Sequence, residues 1–141
     1  MDETTAETAA RLRRVVMRLN RKLRLSSLGG VSPAQASMLA SINKYERPSL
    51  GDLAVAEQIQ PPSVTRLVRD MEKAGLVTCT LDENDRRCTR VALSPLGRKE
   101  LATVRLKREQ FIERKLKTMS AEDQSRARDA AAILETLLGF E

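Results

Sequence analysis

Apolar side chains recur along most of the chain at the three- and four-residue spacing of amphipathic helices. The first such stretch covers residues 6–25, where the other positions are rich in Arg and Lys. Its apolar face consists of Leu12, Val16, Leu19 and Leu23. A second helix begins at Ser32-Pro33, because Ser is a good N-cap and Pro is tolerated at the first helical position. It ends before Arg47-Pro48, since the residue before a proline avoids the α region.

Two shorter helices follow in the middle of the chain. Ser49 caps the first, over residues 50–57, and Gln60 precedes the second, over residues 61–75, with prolines at its first two positions. A buried stripe is predicted on the second helix, which ends at Gly75 as a left-handed cap. The stripe is Val64, Leu67, Val68 and Met71.

After this helix the apolar residues no longer recur at helical spacing but alternate with polar ones. Residues 76–81 and 89–93 favour strands, and the polar segment 82–87 between them predicts a β-hairpin. Ser94-Pro95 starts a long helix, and Ser120, with Asp123 as the partner in a capping box, starts a final one.

The predicted fold is mainly α with a small β-hairpin wing, because two short helices directly before a hairpin are typical of a winged helix-turn-helix. Residues 1–31 form an N-terminal dimerisation helix, 32–97 the winged helix-turn-helix and 98–141 the C-terminal dimerisation helices of one compact protomer. The terminal helices carry apolar stripes, and Phe140 lies near the chain end, so pairing of two copies is expected to cover them. The alternative is a monomeric helical cap.

Charge and composition narrow the function. The 141 residues fit one domain, and 25 Lys and Arg against 19 Asp and Glu give a net charge of +6, which suits an anionic partner such as nucleic acid. The absence of histidine excludes His-based zinc sites and His general bases. No glycine-rich phosphate loop is present, so we expect neither an enzyme nor a metal protein.

The ends of the chain and the cysteines bear on location. No apolar run approaches the roughly 20 residues that span a bilayer, and the N-terminus is acidic, so a cytoplasmic protein without membrane contact is expected. Cys79 and Cys88 are expected to be thiols, because a disulfide between them would distort the hairpin register.

The helix over residues 61–75 offers a polar face for the major groove of DNA. Arginine suits bidentate contact with guanine, and Ser and Thr reach bases or phosphates. The candidates are Pro62, Ser63, Thr65, Arg66 and Arg69. Taken alone, this face is equally consistent with ordinary solvated surface.

The hairpin tip offers a second contact, in the minor groove. Asp85, Arg86 and Arg87 stand where only solvent or a ligand reaches them, and an arginine there suits a narrow minor groove. Asp85 is expected to hold a guanidinium through a bidentate pair. The alternative is a charged turn that keeps a sheet edge soluble.

These residues form a recognisable signature, Asp85-x-Arg87-x-x-x-Val91-x-Leu93-Ser94-x-x-Gly97. Together with Leu53-Ala54 and residues 62–68 and 71–77, it resembles the multiple antibiotic resistance regulator (MarR) family. The resemblance implies a homodimeric transcriptional regulator, usually a repressor, on a pseudo-palindromic DNA operator. It places Ser63, Thr65, Arg66 and Arg69 in the major groove and Arg87 in the minor groove. Gln60 departs from the family, which often has a Ser N-cap there.

The resemblance also implies release from DNA by a small aromatic or phenolic effector, with no other cofactor. The effector would lie between the terminal helices and the winged region. The candidates there are Arg18, Lys22, Met38, Ile42 and Tyr45, although Met38 and Ile42 also suit the core. The zinc sensors of the family use His-rich sites, and this chain has no histidine. Its peroxide sensors use a cysteine in the N-terminal helical region, whereas both cysteines here lie in the wing strands, so the resemblance disfavours both kinds of sensing. The remaining alternatives are a non-specific architectural DNA-binding protein and a winged-helix module that contacts proteins.

Overall fold

The computed structural model describes residues 2–139, which form helices around one small hairpin, and Phe140 lies outside this range. The element order confirms the predicted one and the predicted winged-helix class. The helices are α1 (Thr5–Ser26), α2 (Pro33–Lys44), α3 (Leu50–Glu57), α4 (Pro61–Lys73), α5 (Pro95–Lys117) and α6 (Ala121–Leu138). The strands are β1 (Val77–Leu81) and β2 (Thr89–Leu93), paired antiparallel.

Serine side chains begin α2, α3, α5 and α6, as predicted. Each hydroxyl accepts a hydrogen bond from the backbone N–H three residues further on, which satisfies one of the free donors of the first turn. Ser32 with Gln35 and Ser49 with Asp52 form the full reciprocal capping box. Ser120 accepts from the N–H of Asp123 at 3.1 Å, which is one half of the predicted box.

The end of α4 differs slightly from its prediction. The helix ends at Lys73 rather than at residue 75, with Ala74 as the C-cap. Gly75 has a φ of 77°, the left-handed conformation that was predicted for it. The first strand accordingly begins at Val77, one residue later than predicted.

The core belongs to the winged region and to the first half of α5. Every buried apolar residue lies between Val31 and Val104 among the residues described. The fully buried side chains include Met38, Leu39, Leu53, Val64, Met71 and Val91. Leu101 and Val104 extend this core along α5, so the predicted boundary between residues 97 and 98 falls inside one continuous helix.

Gly97 allows α5 to approach the turn between α4 and β1. A Cβ atom at this position would overlap the backbone carbonyl of Leu76. Ser94 contacts the same turn, because its hydroxyl donates to the carbonyl of Gly75 and its N–H donates to that of Leu76 at 3.0 Å. The Ser94 and Gly97 of the signature therefore fix the start of α5 against the winged core.

The connection between α2 and α3 adds a short third segment to the hairpin. The N–H of Val91 donates to the carbonyl of Pro48 at 2.9 Å, and Ser49 pairs with Arg90. Arg47 has a φ of 46°, so the residue before Pro48 is left-handed rather than extended. This turn brings the N-terminus of α3 beside the base of the wing.

Candidate nucleic-acid interface

The outer face of α4 presents most of its predicted base-reading side chains to solvent. Pro62, Ser63, Arg66 and Arg69 are exposed, while Val64, Val68 and Met71 are buried on the opposite face. Thr65 is half-buried, and its hydroxyl donates to the carbonyl of Pro61 at 3.1 Å. Thr65 is therefore less available than its neighbours for contact with a base.

The N-terminus of α4 lacks a side-chain cap. Gln60 occupies the N-cap position but its side chain makes no capping hydrogen bond. Pro61 and Pro62 carry no N–H, so two of the free donors of the first turn do not exist, and one of them, at Pro62, is a donor that a cap would satisfy. The N–H of Ser63 donates instead to the Gln60 carbonyl at 2.9 Å. The two prolines thus reduce the need for the serine that Gln60 replaces.

Arg87 stands at the tip of the wing and is held by Asp85. Its side chain is 92% exposed, and its Nε lies 3.2 Å from Oδ1 of Asp85. The same oxygen accepts the backbone N–H of Arg87 at 3.1 Å. One carboxylate oxygen therefore serves both donors, and the bidentate pair predicted for Asp85 is wrong. Nε is the guanidinium nitrogen of Arg87 that contacts Asp85, and Arg86 is also exposed.

A second acid organises the turn behind the tip. Oδ2 of Asp82 accepts the backbone N–H groups of Asn84, at 3.1 Å, and Asp85, at 2.9 Å. Its other oxygen, Oδ1, lies 3.1 Å from Nε of Arg90. The N–H of Asp85, followed by Arg90, lowers the pKa of Asp82, so this carboxyl is ionised at neutral pH.

Arg90 also faces the start of α3. Its Nη1 lies 3.6 Å from Oδ2 of Asp52 and 3.5 Å from the carbonyl of Arg47. Hydrogen bonds from Ser49 lower the pKa of Asp52, and Asp82 is the main cause that raises the pKa of Arg90. These charges therefore persist over the physiological pH range.

The sequence did not identify the residues at the wing base as a unit. The unit consists of residues that are separated along the chain, namely Arg47, Asp52, Asp82 and Arg90. They meet only because the connection between α2 and α3 pairs with β2. One signal was available at Asp82, since an acid that opens a polar turn commonly accepts backbone N–H groups two and three residues later.

The five predicted effector residues are not brought together. Met38 lies in the core without exposed surface, whereas Arg18 and Lys22 lie on the exposed side of α1. Ile42 and Tyr45 border a cleft beside β2, at the C-terminal end of α2. The helical rotation of α1 explains the error, because it directs Asn20 and Arg24, rather than Arg18 and Lys22, towards α2 and α5.

A cavity of about 360 Å³ does lie at the predicted junction of α1, α2 and α5. Its floor is apolar, with Ala36, Leu101 and Val104, and its charged side chains are Arg24, Arg105 and Arg108. No acidic residue is among the described residues that line it. Burial, with the nearby charge of Arg24, lowers the pKa of Arg108, whose Nε donates to the Ser27 hydroxyl at 3.0 Å. The cavity therefore suits an anion with an apolar body.

The cysteines are both free thiols. Cys79 pairs with Val91 across the hairpin and not with Cys88. Burial, with Glu72 close by, raises the pKa of Cys79 to about 11, which makes its thiolate scarce at neutral pH.

Two kinds of feature are absent from residues 2–139. No group of three or more Asp, Glu, Cys or His side chains could hold a metal ion there. None of the helices in that range has the length and apolar character needed to cross a bilayer.

Comparison with known proteins agrees with this geometry. Residues 31–89 match the model of the MarR family. An HTH-type transcriptional regulator of Mycobacterium tuberculosis is 29% identical over 139 residues, which cover 98% of this chain and 97% of that protein.

Solved structures share the fold over nearly the whole chain. A Pseudomonas aeruginosa protein described as a candidate transcriptional regulator is 28% identical, with a TM-score of 0.84 and 96% of each chain covered. A MarR family protein from Bacillus stearothermophilus has a TM-score of 0.81 at 24% identity, with 99% of each chain covered. The similarity therefore includes the terminal helices as well as the winged region.

Proposed function

We propose that the chain is a winged helix-turn-helix transcriptional regulator of the MarR family, and that it acts as a homodimeric repressor of a pseudo-palindromic DNA operator. In this proposal α4 reads the major groove and the wing enters the minor groove. In this proposal the chain binds DNA and is not an enzyme, as its similarity to transcriptional regulators supports.

One observation carries the proposal, namely the braced arginine at the wing tip. Arg87 is 92% exposed yet held at its Nε by Asp85, so its terminal nitrogens are available while its direction is restricted. A purely solubilising arginine needs no such brace. The exposed Arg66 and Arg69 on α4 supply the second contact, to base edges.

Dimerisation is supported by the terminal helices. Neither α1 nor α6 buries a single residue within one chain. Large apolar side chains on both are exposed, including Val15 at 54%, Ile133 at 61% and Leu137 at 67%. Since soluble monomers rarely leave such apolar faces open, a second copy is the partner that suits both helices. Its symmetry would place two α4 helices about one DNA turn, roughly 10 bp, apart.

The test is selection of bound duplexes from a random DNA pool at a stated salt concentration. A palindromic motif is expected. With the selected duplex, Arg66→Ala should lose discrimination at particular base pairs, by about 1–3 kcal/mol each. Arg87→Ala should weaken binding to all sequences and lower the salt dependence by about one counterion. Arg114→Gln, which removes an exposed charge near the end of α5, is the matched control and should change neither.

Two other outcomes would replace this proposal. Binding without an enriched motif would indicate a non-specific architectural DNA-binding protein. If neither the unaltered chain nor the arginine variants bind DNA, but all of them bind a protein partner, the chain is a protein-interaction module.

Regulation by a small aromatic carboxylate or phenolate is part of the proposal. The support is the arginine-lined cavity between α1, α2 and α5, which joins the terminal helices to the winged region. A ligand that occupies it would alter the spacing of the two α4 helices in a dimer and thereby weaken operator binding. Arg24, Arg105 and Arg108 replace the residues first expected to hold the carboxylate.

Benzoate is a suitable probe for this cavity, and benzamide is its neutral control. Benzoate should bind the unaltered protein and release the selected duplex, whereas benzamide should do neither. Arg108→Met should abolish benzoate binding while Arg18→Met, on the exposed side of α1, should leave it unchanged. Equal binding of the two probes, or retained binding in Arg108→Met, contradicts the assignment of the cavity.

A further inference from the structure

The base of the wing contains an arginine that contacts two separate parts of the winged region. We propose that Arg90 is a positioning residue, which ties the wing to the N-terminus of α3 and so sets where Arg87 stands relative to α4. The inference rests on the proposed DNA contact of Arg87, although its first consequence, an ordered wing, concerns the free protein.

The contact between Arg90 and Asp82 holds the wing side. Asp82 is 22% exposed and Arg90 31%, compared with 50% and 92% for Asp85 and Arg87. An ion pair is weakened by solvent, so the pair of Asp82 and Arg90, which is less exposed, is the stronger of the two. The other oxygen of Asp82 holds the N–H of Asp85, the residue that in turn holds Arg87.

The contacts of Arg90 with α3 and its approach hold the other side. Nη1 faces Asp52, which is the capping residue in the first turn of α3, and the carbonyl of Arg47. The backbone of Arg90 pairs with Ser49, so the side chain and main chain connect to the same segment. A continuous path thus runs from the start of α3, through Arg90 and Asp82, to Asp85 and Arg87.

Arginine is needed because two differently placed nitrogens are used at once. Nε contacts Asp82 while Nη1 contacts Asp52. A lysine has a single charged nitrogen and lacks the planar fork, so it cannot keep both contacts in this geometry. Arg90→Met removes both contacts but keeps an apolar stem of similar reach, which limits damage to the fold.

The test compares Arg90→Met, Arg90→Lys and the control Arg114→Gln in two measurements. The first is backbone ¹⁵N relaxation in the free protein. We expect the order parameters of residues 84–87 to fall below about 0.6 in Arg90→Met, while those of α5 stay near 0.85. Arg90→Lys should give an intermediate loss of order, and Arg114→Gln none.

The second measurement is affinity for the selected duplex in a double-mutant cycle with Arg87→Ala. Arg90→Met should weaken DNA binding about tenfold in a chain that keeps Arg87, and hardly at all in a chain that already carries Arg87→Ala. The reason is that Arg90 acts on DNA binding through Arg87. Two outcomes would overturn the inference. Either the affinity losses of the two variants add, or Arg90→Met by itself lowers the salt dependence by one counterion, and each would mean that Arg90 contacts a phosphate directly.

The two measurements separate the inference from the function on which it rests. If the unaltered chain selects no DNA motif, the proposed function fails and the relaxation data alone decide the role of Arg90. If it selects a motif but the wing stays ordered in Arg90→Met, the proposed function stands and the positioning role is wrong. Should Arg90→Met lose its thermal transition, Arg90→Lys provides the same comparison in a folded chain.

Discussion

The winged region and the terminal helices carry the same kind of apolar pattern but bury very different amounts of it. Leu53, on α3, has no exposed surface, whereas Leu137, on α6, is 67% exposed. Each belongs to a helix with apolar residues at helical spacing. The winged region buries its apolar side chains within one chain, whereas α1 and α6 leave theirs exposed.

This contrast shows what hydrophobic periodicity can and cannot tell. A repeat of three and four residues identifies the face of a helix that will be covered, whatever covers it. It does not say whether the cover comes from the same chain or from a second one. The difference in exposure within one chain supplies that missing information, and it makes the two regions separable by mutation.

The largest effect is expected from charges on the open face of α6. Ile133→Glu together with Leu137→Glu places two carboxylates where we expect a second copy to pack. Burial of each apolar side chain is worth about 1.5–3 kcal/mol, so the dimer dissociation constant should rise at least about a hundredfold. Sedimentation equilibrium measures this. Arg128→Glu, on the opposite face of the same helix, is the control and should leave the dimer intact.

If the two glutamates leave the mass of the assembly in solution unchanged, the contrast between the winged region and the terminal helices is wrong. It would mean that α1 and α6 remain exposed in solution or meet another partner, and the half-site spacing of the operator would then need a different explanation.

The next effect compares the same substitution in the two regions. Leu53→Ala should lower the free energy of unfolding by about 2–5 kcal/mol at every protein concentration, because it leaves a cavity in the core. Leu137→Ala should lower it only at concentrations where the protein is dimeric. Urea denaturation at several protein concentrations distinguishes the two. Val55→Ala, which alters a side chain that is 79% exposed on α3, is the control and should have little effect.

Much of the winged region was predictable because its signals are local. The Ser-Pro pairs, Gly75 and the alternating strands act within a few residues, and each predicted its element to within about two residues. The brace between Asp85 and Arg87 was predictable for the same reason, since the two residues are neighbours in one turn. Its geometry was not, because the choice between one oxygen and two depends on where the backbone N–H of Arg87 points.

The rest depended on how distant segments meet. The effector candidates required the rotation of α1 relative to α2 and α5. The apolar stripe of α1 does not fix that rotation, because none of its 22 residues is buried within one chain. The contacts of Arg90 required the connection before α3 to pair with β2. Both are consequences of tertiary packing, which the spacing of residues along one element does not record.

A smaller effect is expected where the two regions share a helix. Gly97 lies at the start of α5, where an added Cβ would overlap the carbonyl of Leu76. Gly97→Ala should therefore destabilise the fold by about 1–3 kcal/mol, as forced overpacking does. Gly51→Ala is the matched control, because a Cβ there meets only the Ser49 hydroxyl at 3.7 Å. That change should be neutral or stabilising in thermal unfolding, and equal losses at the two glycines would contradict the close approach of α5.

The smallest effect is expected at the N-terminus of α4, where the winged region lacks a cap. A serine N-cap typically contributes about 1 kcal/mol by accepting from the N–H of the second or third helical residue. Here the second residue is Pro62, which has no N–H, and the N–H of Ser63 already donates to the Gln60 carbonyl.

Gln60→Ser should therefore stabilise the fold by no more than about 0.5 kcal/mol, the lower end of the capping range. Ser49→Ala, which removes the complete capping box of α3, should cost about 1 kcal/mol in the same urea titration. A gain from Gln60→Ser as large as that loss would mean that the prolines do not substitute for the missing cap. The stability of the winged region would then depend on its helix ends as well as on its core, and the contrast with the terminal helices would be narrower than burial alone indicates.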